Sequence, residues 1–295
     1  MTVTDMKIVR DILPHRQACA NKYSVGSLLC VCGSYSMAGA AVLCAKAALR
    51  TGAGLVRIAV PESIYTIVSA ALPEAVFLVL PENEKGAISA SAVREIIKYA
   101  NKSDAVLMGC GSKLCTDTVS IALSLVSECK SPLVLDADGI NAVSKHIDVL
   151  RDRVYPTVLT PHEGEMSRLT GLSSAYIREN REETAQNFAD DYGVTLVLKG
   201  KDTVVASKNS QMYINPTGNA GMAVAGSGDV LAGMIASFVS QGVDVALSSV
   251  AGAYLHGLAG DIAKDDLTEY SLMPSDIIER IPKAIKMCME ETKDV

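Results

Sequence analysis

A chain of 295 residues, of which 49% are apolar, is long enough to fold around a sizeable hydrophobic core. Its 27 basic and 33 acidic residues give a net charge of −6, which argues against nucleic acid or an anionic membrane as the main partner. Residues 1–17 lack the apolar core of a secretory signal, and Lys46, Arg50 and Arg57 interrupt the longest apolar tract, so no membrane span is expected. Eight cysteines without a Cys-x-x-Cys pair indicate buried free thiols, and we therefore expect a cytoplasmic protein.

Short runs rich in β-branched residues alternate along the chain with longer helical patterns. The predicted strands are 27–32, 55–60, 76–80, 105–108, 133–135, 157–159, 195–198, 203–206 and 211–214. The predicted helices are 38–50, 90–99, 116–129, 178–192, 229–241, 246–263 and 274–289. This alternation predicts βαβ units, and so an α/β fold with a mostly parallel central sheet and helices on both faces. The last two strands should form a hairpin at an edge of the sheet.

No linker rich in proline, serine or charge divides the chain, so we predict one domain spanning residues 1–295. In a parallel α/β sheet the ligand binds beyond the carboxyl ends of the strands. Unusual loops follow five of the predicted strands, and we expect them to converge at that edge. They are Gly33-Ser-Tyr-Ser, Gly109-Cys-Gly-Ser-Lys, Asp136-Ala-Asp-Gly, Thr160-Pro-His-Glu-Gly-Glu and Lys199-Gly-Lys-Asp-Thr.

The segment Ala225-Gly-Ser-Gly-Asp229 places small residues at the start of an apolar helix. A helix N-terminus has unpaired N–H groups and a partial positive charge, and glycines at 226 and 228 let a phosphate approach the backbone. A carboxylate repels phosphate, so the presence of Asp229 beside a predicted phosphate site requires a physical explanation. It either accepts a proton from a hydroxyl that attacks the phosphoryl group, or it only caps the helix.

Two further loops carry groups suited to ligand binding. Lys199 follows a strand end, where it can neutralise a nucleotide phosphate, or it belongs to an ordinary polar turn. His162 is predicted to contact the substrate, while Glu163 and Glu165 either hold Mg²⁺ through water or cap the next helix.

The loop Asp136-Ala-Asp-Gly-Ile-Asn141 ends a strand and starts a short helix. There Asp138 is a candidate helix cap, and Asp136 and Asn141 are candidates for lining the cleft; the sequence leaves a direct functional role and a purely structural one open. The first loop, Gly33 to Ala41, opens a helix of small residues that either binds an anion or packs closely on the sheet.

With these loops in place, the chain resembles the ADP/ATP-dependent NAD(P)H-hydrate dehydratases, a branch of the ribokinase-like superfamily, from about Gly26 to Ile281. Six motifs occur in the family's order. They are Gly33-Ser-x-x-Met-Ala-Gly-Ala-Ala, Gly109-x-Gly-Ser, Leu135-Asp-Ala-Asp-Gly-Ile-Asn, Leu159-Thr-Pro-His-x-Gly-Glu, Leu198-Lys-Gly-x-x-Thr, and Asn215-Pro-Thr-Gly-Asn with the later Gly-Ser-Gly-Asp.

The resemblance implies a ribokinase-like α/β fold and restoration of NADH or NADPH from the 6-hydroxy hydrate, with ADP or ATP as co-substrate, Mg²⁺ assisting and Asp229 as general base. The implied substrate contacts are Ala40, Gly111, His162 and Asp229. The expected nucleotide contacts are Lys199, Gly200, Lys201, Asp202, Thr203, Gly226, Ser227 and Gly228. Residues expected to support these contacts are Asn141, Glu165 and Asn219. A homotetramer is also implied, and any epimerase for the two hydrate epimers is expected to be a separate protein.

One departure from the family is Val224-Ala225, where members often have a glycine, and the added methyl of Ala225 would narrow the phosphate loop. Two other functions compete with the dehydratase. The first is a small-molecule kinase of the same superfamily, such as a hydroxyethylthiazole kinase, because the phosphate chemistry is shared. The second is a module that binds ADP or ATP without turnover.

Overall fold

A ten-stranded sheet organises the computed structural model, which describes residues 1–290 of the chain; the last five residues of the predicted domain, 291–295, lie outside the described residues. The strands are β1 (Thr2–Val3), β2 (Ser27–Val31), β3 (Leu55–Pro61), β4 (Val76–Leu80), β5 (Ala105–Met108), β6 (Leu133–Leu135), β7 (Thr157–Leu159), β8 (Thr195–Leu198), β9 (Thr203–Ser207) and β10 (Tyr213–Asn215). Their order across the sheet is β1-β10-β9-β8-β7-β6-β5-β2-β3-β4.

The helices fall between these strands or follow the last of them. They are α1 (Met6–Ile12), α2 (Lys22–Val25), α3 (Ala38–Thr51), α4 (Glu62–Ala71), α5 (Val93–Ala100), α6 (Thr116–Glu128), α7 (Asp138–Val143), α8 (Glu163–Thr170), α9 (Ser174–Glu179), α10 (Arg181–Tyr192), α11 (Ser227–Ser240), α12 (Val245–Asp266) and α13 (Pro274–Met289). Short 3₁₀ turns occur at Ala90–Ala92, Ser144–Leu150 and Ala220–Met222.

The predicted α/β class is confirmed, because every neighbouring pair of strands is parallel except the two pairs that β9 makes with β8 and β10. Strands β9 and β10 form the predicted hairpin, but the prediction that this hairpin lies at the sheet edge was wrong. The two-residue strand β1 pairs outside β10, with Thr2 opposite Tyr213. A strand of two residues carries too little pattern to be predicted from sequence.

Several predicted helix boundaries were also wrong, and two of them have a clear local cause. The predicted helix 178–192 is broken at Asn180, whose backbone is non-helical (φ −128°) and whose side-chain amide donates to the carbonyl of Tyr176. Asparagine competes for nearby backbone groups in this way, which favours a helix end. The predicted helix 229–241 begins two residues earlier, at Ser227, because Gly226 takes a left-handed conformation (φ +97°) at its N-cap.

Apolar layers cover both faces of the sheet. On β2, Leu29 and Val31 face one layer, which includes residues of α5, α6 and α10. Leu28 and Cys30 face the other, which includes residues of α3, α4, α11 and α12. A further layer, built largely from α12 and α13, covers the outer side of α11. This packing on both sides buries every residue of α11 except Gly228 and Asp229, and Asp229 is its one charged residue.

The cysteines are free thiols, as predicted, and six of the eight are buried; Cys19 is exposed and Cys115 is half-buried. None of the helices within residues 1–290 combines the length and the apolar character that crossing a bilayer requires.

The close approach of α11 to α3 gives a stability prediction. A methyl group added at Gly233 would lie 2.1 Å from the carbonyl oxygen of Cys44, whereas one added at Gly39 would meet nothing within 4 Å. We expect Gly233→Ala to lower the free energy of unfolding by about 1–3 kcal/mol, because the two helices must separate. Gly39→Ala, the matched control, should raise it by up to about 1 kcal/mol. Denaturant unfolding measures both, and equal stability of the two variants would contradict the prediction.

Candidate active site

Loops after several neighbouring strands converge on the side chain of Lys199, at the carboxyl edge of the sheet. Its ammonium donates to Oδ1 of Asp136 over 2.8 Å and lies 3.8 Å from Oε2 of Glu165. Burial opposes the charge, but attraction to Asp136 and Glu165 outweighs burial and raises the pKa of Lys199. Lys199 is therefore a positive charge held in place by one carboxylate from the loop after β6 and one from the first turn of α8.

Asp136 lies at the bottom of this site and is 1% exposed. Its Oδ1 also accepts a hydrogen bond of 2.6 Å from the Thr160 hydroxyl, and its Oδ2 is 3.8 Å from the thiol of Cys110. The next residue, Ala137, has a positive φ of +48°, which is unusual for a residue with a side chain. Gly109 permits the two loops to touch, since a methyl group there would lie 1.9 Å from the carbonyl of Asp136.

Asp229 is the third residue of α11, and it stands beside Asp136. Side-chain ligand atoms of Cys110, Asp136 and Asp229 all lie within 4.8 Å of one another. Burial is the main cause that raises the pKa of Asp229 to about 7, the negative charge of Asp136 adds to the effect, and Cys110 and Lys199 oppose it. The residue at the N-cap is Gly226, so Asp229 does not occupy the N-cap position, although it lies in the first turn of the helix.

The start of α11 points toward these charges. A methyl group at Gly228 would lie 3.2 Å from Nζ of Lys199 and 4.0 Å from Oδ2 of Asp136. The absent side chain thus leaves space between a lysine, a helix N-terminus and a carboxyl group whose pKa is near neutral. An anionic group and a hydroxyl can meet there. The lysine and the helix N-terminus attract the negative charge, and the carboxyl group of Asp229 can take up the hydroxyl proton. Val224 and Ala225, which precede the loop, are exposed.

Among the predicted substrate contacts, Ala40 and Gly111 lie together. A methyl group at Gly111 would be 2.7 Å from the Cβ of Ala40, and Gly111 itself has a φ of +63°. The loop that begins at Gly33 lies in the same region, because the N–H of Gly33 donates a hydrogen bond of 2.8 Å to the carbonyl of Cys110.

His162 is the N-cap of α8, and its side chain is 54% exposed. Its Nδ1 accepts hydrogen bonds from the N–H groups of Gly164 and Glu165, and the Glu165 carboxylate accepts one from the N–H of His162. The capping role predicted for Glu165 is therefore confirmed. Glu163 instead pairs with Arg178 at 2.9 Å and with Arg181 at 3.5 Å.

The turn after β8, residues 200–202, is more exposed to solvent than Lys199 itself. Lys201 and Asp202 are exposed, and the Thr203 hydroxyl closes the turn by donating to the carbonyl of Gly200. Arg181, which the sequence did not indicate, lies against this turn: a methyl group on Gly200 would be 2.9 Å from its Nη1.

Two predicted supporting residues lie in networks of their own. Asn141 accepts a hydrogen bond from Arg168 over 2.7 Å. Asn219 caps the 3₁₀ turn Ala220–Met222 and donates to Asp261 over 2.9 Å. Each therefore orders a loop rather than joining the Lys199 cluster directly.

His256 is a further residue of the site that sequence reasoning missed. It is buried in α12, and its Nε2 lies 3.3 Å from the hydroxyl of Ser227 at the start of α11. Burial lowers the pKa of His256 to about 4, so the ring is neutral at physiological pH. Ser227 and His256 are 29 positions apart, and no local pattern in the sequence links them.

Both the sequence and the fold of this chain are similar to those of known proteins. A family model described as NAD(P)H-hydrate dehydratase matches residues 28–283. The bifunctional NAD(P)H-hydrate repair enzyme Nnr of Moorella thermoacetica is 40% identical over 286 residues, which are 97% of this chain and 54% of that protein. The chain thus spans about half the length of this curated relative.

Solved structures show the same architecture. An ADP/ATP-dependent NAD(P)H-hydrate dehydratase from Bacillus subtilis, co-crystallised with ATP and Mg²⁺, superposes with a TM-score of 0.82 at 28% identity, covering 97% of this chain and 98% of that one. A ribokinase-like superfamily protein from Enterococcus faecalis gives a TM-score of 0.85 at 25% identity, covering 98% and 97%. The predicted ribokinase-like fold is confirmed.

The pKa of Asp229 predicts how stability depends on pH. Its folded value of about 7 exceeds the ordinary value of 3.8, so the folded state binds more protons between about pH 4 and pH 7, and this contribution to the free energy of unfolding falls as pH rises through that window. We expect Asp229→Asn to raise the free energy of unfolding at pH 8 by about 2–4 kcal/mol, allowing for partial exposure, and by less at pH 5.

Denaturant unfolding at pH 5 and pH 8 measures this difference. Asp11→Asn, at an exposed position, is the matched control and should change stability equally little at both pH values. A stability gain in Asp229→Asn that is the same at both pH values would contradict the predicted pKa.

Proposed function

We propose that this chain, which belongs to the NAD(P)H-hydrate dehydratase family, uses ADP or ATP to convert the 6-hydroxy hydrate of NADH or NADPH back to the reduced dinucleotide. The observation that carries the proposal is the meeting of Asp229, Lys199 and the glycine-rich start of α11 at one point. The family match favours the dehydratase over a vitamin-alcohol kinase and over a binding module without turnover.

In the first step, Asp229 accepts the proton of the ring hydroxyl, and the hydroxyl oxygen attacks the terminal phosphoryl group of the nucleotide. A P–O bond to the substrate forms, and the bond to the leaving AMP or ADP breaks. The ammonium of Lys199 and the N–H groups of Gly226 to Asp229 stabilise the charge on the phosphoryl oxygens. A carboxyl group with a pKa of about 7 suits a base that works near neutral pH.

In the second step, the C6–O bond breaks and its electron pair leaves with phosphate, which is a far better leaving group than hydroxide. The lone pair of the ring nitrogen assists this departure, and loss of a proton from C5 restores the dihydropyridine. The net reaction removes the elements of water from the hydrate, while the nucleotide loses one phosphoryl group as inorganic phosphate.

The carboxylates at the site suit Mg²⁺, a hard cation that prefers oxygen ligands, because oxygens of Asp136 and Asp229 lie within 4.8 Å of one another. Asp136 would hold the ion together with the phosphates of the nucleotide. When bound, Mg²⁺ supplies positive charge that neutralises the phosphoryl oxygens.

The remaining assignments are part of the same proposal. The hydrate is bound by Ala40, Gly111, His162 and Asp229, and the nucleotide by Lys199 to Thr203 with Gly226 to Gly228. Residues 1–295 form one domain, which the continuous sheet from Thr2 to Asn215 supports. A homotetramer, a cytoplasmic location and a separate epimerase stay predictions.

The function is tested by mixing the purified chain with hydrated NADH, Mg²⁺ and either ADP or ATP. We expect the near-ultraviolet absorbance of reduced nicotinamide to recover only when a nucleotide is present, with phosphate released in equal amount. The nucleotide that supports recovery is the co-substrate. Folded chain that binds nucleotide, yet restores no absorbance with either one, would refute the proposal; a stable phosphorylated alcohol would identify a kinase.

The role of Asp229 is tested by Asp229→Asn, which keeps the shape and removes the base. We expect the turnover rate to fall about 10²–10⁴-fold, with nucleotide affinity nearly unchanged. In the unaltered chain, kcat/KM should fall as the pH drops below about 7, since the base is then protonated. Asp11→Asn is again the control, and near-normal turnover of Asp229→Asn would remove Asp229 from the mechanism.

A further inference from the structure

Three cysteine side chains meet beneath the candidate active site, and the proposed reaction does not use them as a group. The Sγ atoms of Cys32, Cys44 and Cys110 all lie within 4.8 Å of one another, and all three residues are 0% exposed. They come from the residue directly after β2, from α3 and from the loop after β5. Widely separated segments therefore bring three thiols to one point.

The spacing suits a single atom bonded to all three sulfurs. With bonds of about 2.3 Å, as in zinc thiolates, three sulfurs around one atom lie up to about 4 Å apart. A pyramidal trivalent centre holds its three sulfurs closer, roughly 3.3–3.5 Å apart, so the most widely spaced sulfurs of the cluster must approach by up to about 1.5 Å. Such soft sulfur ligands select soft, thiophilic centres over hard cations such as Mg²⁺.

Charge decides which thiophilic centre fits. A divalent ion bound to three thiolates leaves a net charge of −1, and here that charge would be buried a few ångströms from Asp136 and Asp229. Burying an uncompensated charge is costly, and the nearby carboxylates would repel it. A trivalent centre bound to three thiolates is neutral and avoids both costs.

We propose that Cys32, Cys44 and Cys110 form a binding site for trivalent arsenic. Arsenous acid, As(OH)₃, reacts with three thiols to give As(SR)₃ and three waters. Three As–S bonds form and three As–O bonds break, and each thiol proton leaves with a hydroxide. Arsenic stays trivalent and no electrons are transferred, so no oxidant or reductant is needed.

Arsenic bound at this site would affect the active site through Cys110, which contacts both. Its thiol lies 3.8 Å from Oδ2 of Asp136, and it is close to Asp229 as well. Bonding to arsenic removes the S–H donor and draws the sulfur toward Cys32 and Cys44. Because the three thiols are fully buried, binding requires local opening, and we expect inhibition to develop slowly.

The experiment incubates the full chain with sodium arsenite and a phosphine reductant, since a thiol reductant would compete for arsenic. Native mass spectrometry should show one arsenic bound with loss of three protons. Cys44→Ala should bind arsenite at least about tenfold more weakly, while keeping its basal activity. Cys129→Ala, which removes a buried thiol on the other face of the sheet, should bind as the unaltered chain does.

Cys32→Ala is a second variant, used if Cys44→Ala does not fold, and it should lose affinity to the same degree. The mass readout does not depend on any activity, so it stands even if the proposed reaction is wrong. Three results would each overturn the proposal: no arsenic adduct, equal binding by the cluster variants and the unaltered chain, or tighter binding of Cd²⁺ than of arsenite by these three thiols.

Discussion

The buried ion pair between Lys199 and Asp136 is the interaction on which the arrangement of the site depends. The 2.8 Å contact joins the end of β8 to the loop after β6, while Thr160 adds the loop after β7 and Glu165 adds the first turn of α8. An ammonium held in a mostly buried position must be compensated, and removing one partner of such a pair leaves an unpaired charge that is strongly destabilising. The loops are therefore held in register by the same charges that the chemistry uses.

The electrostatic character of Asp229 follows from this pairing. One ammonium stands near three carboxyl groups, and it is in direct contact with Asp136 rather than with Asp229. Burial and the negative charge of Asp136 raise the pKa of Asp229. Cys110 and Lys199 offset this rise only in part, so the pKa stays at about 7. Two like groups in different surroundings thus acquire different roles, one as a fixed counter-charge and the other as a proton acceptor.

The position of α11 links this site to the core. Gly233 lets its backbone touch that of Cys44 on α3, and the imidazole of His256 on α12 supports Ser227 at its first turn. Helices packed this closely cannot shift without opening cavities or overlapping atoms. The glycine-rich turn is consequently held rigidly, although Gly226 and Gly228 make it locally permissive. The three-thiol cluster lies within the same layer, which is why its chemistry is coupled to the site.

Local patterns in the sequence determined the alternation of strands and helices, and most predicted strands differ from the observed ones by no more than one residue at each end. They also identified the loops that converge and, through resemblance, the family. Only the tertiary structure decided what depends on contacts between distant segments: the pairing of β1 outside β10, the neutral His256 under Ser227, and the meeting of Cys32, Cys44 and Cys110. The reason is physical, because periodicity and turn chemistry act over a few residues, whereas burial, charge pairing and pKa are set by neighbours that only folding brings together.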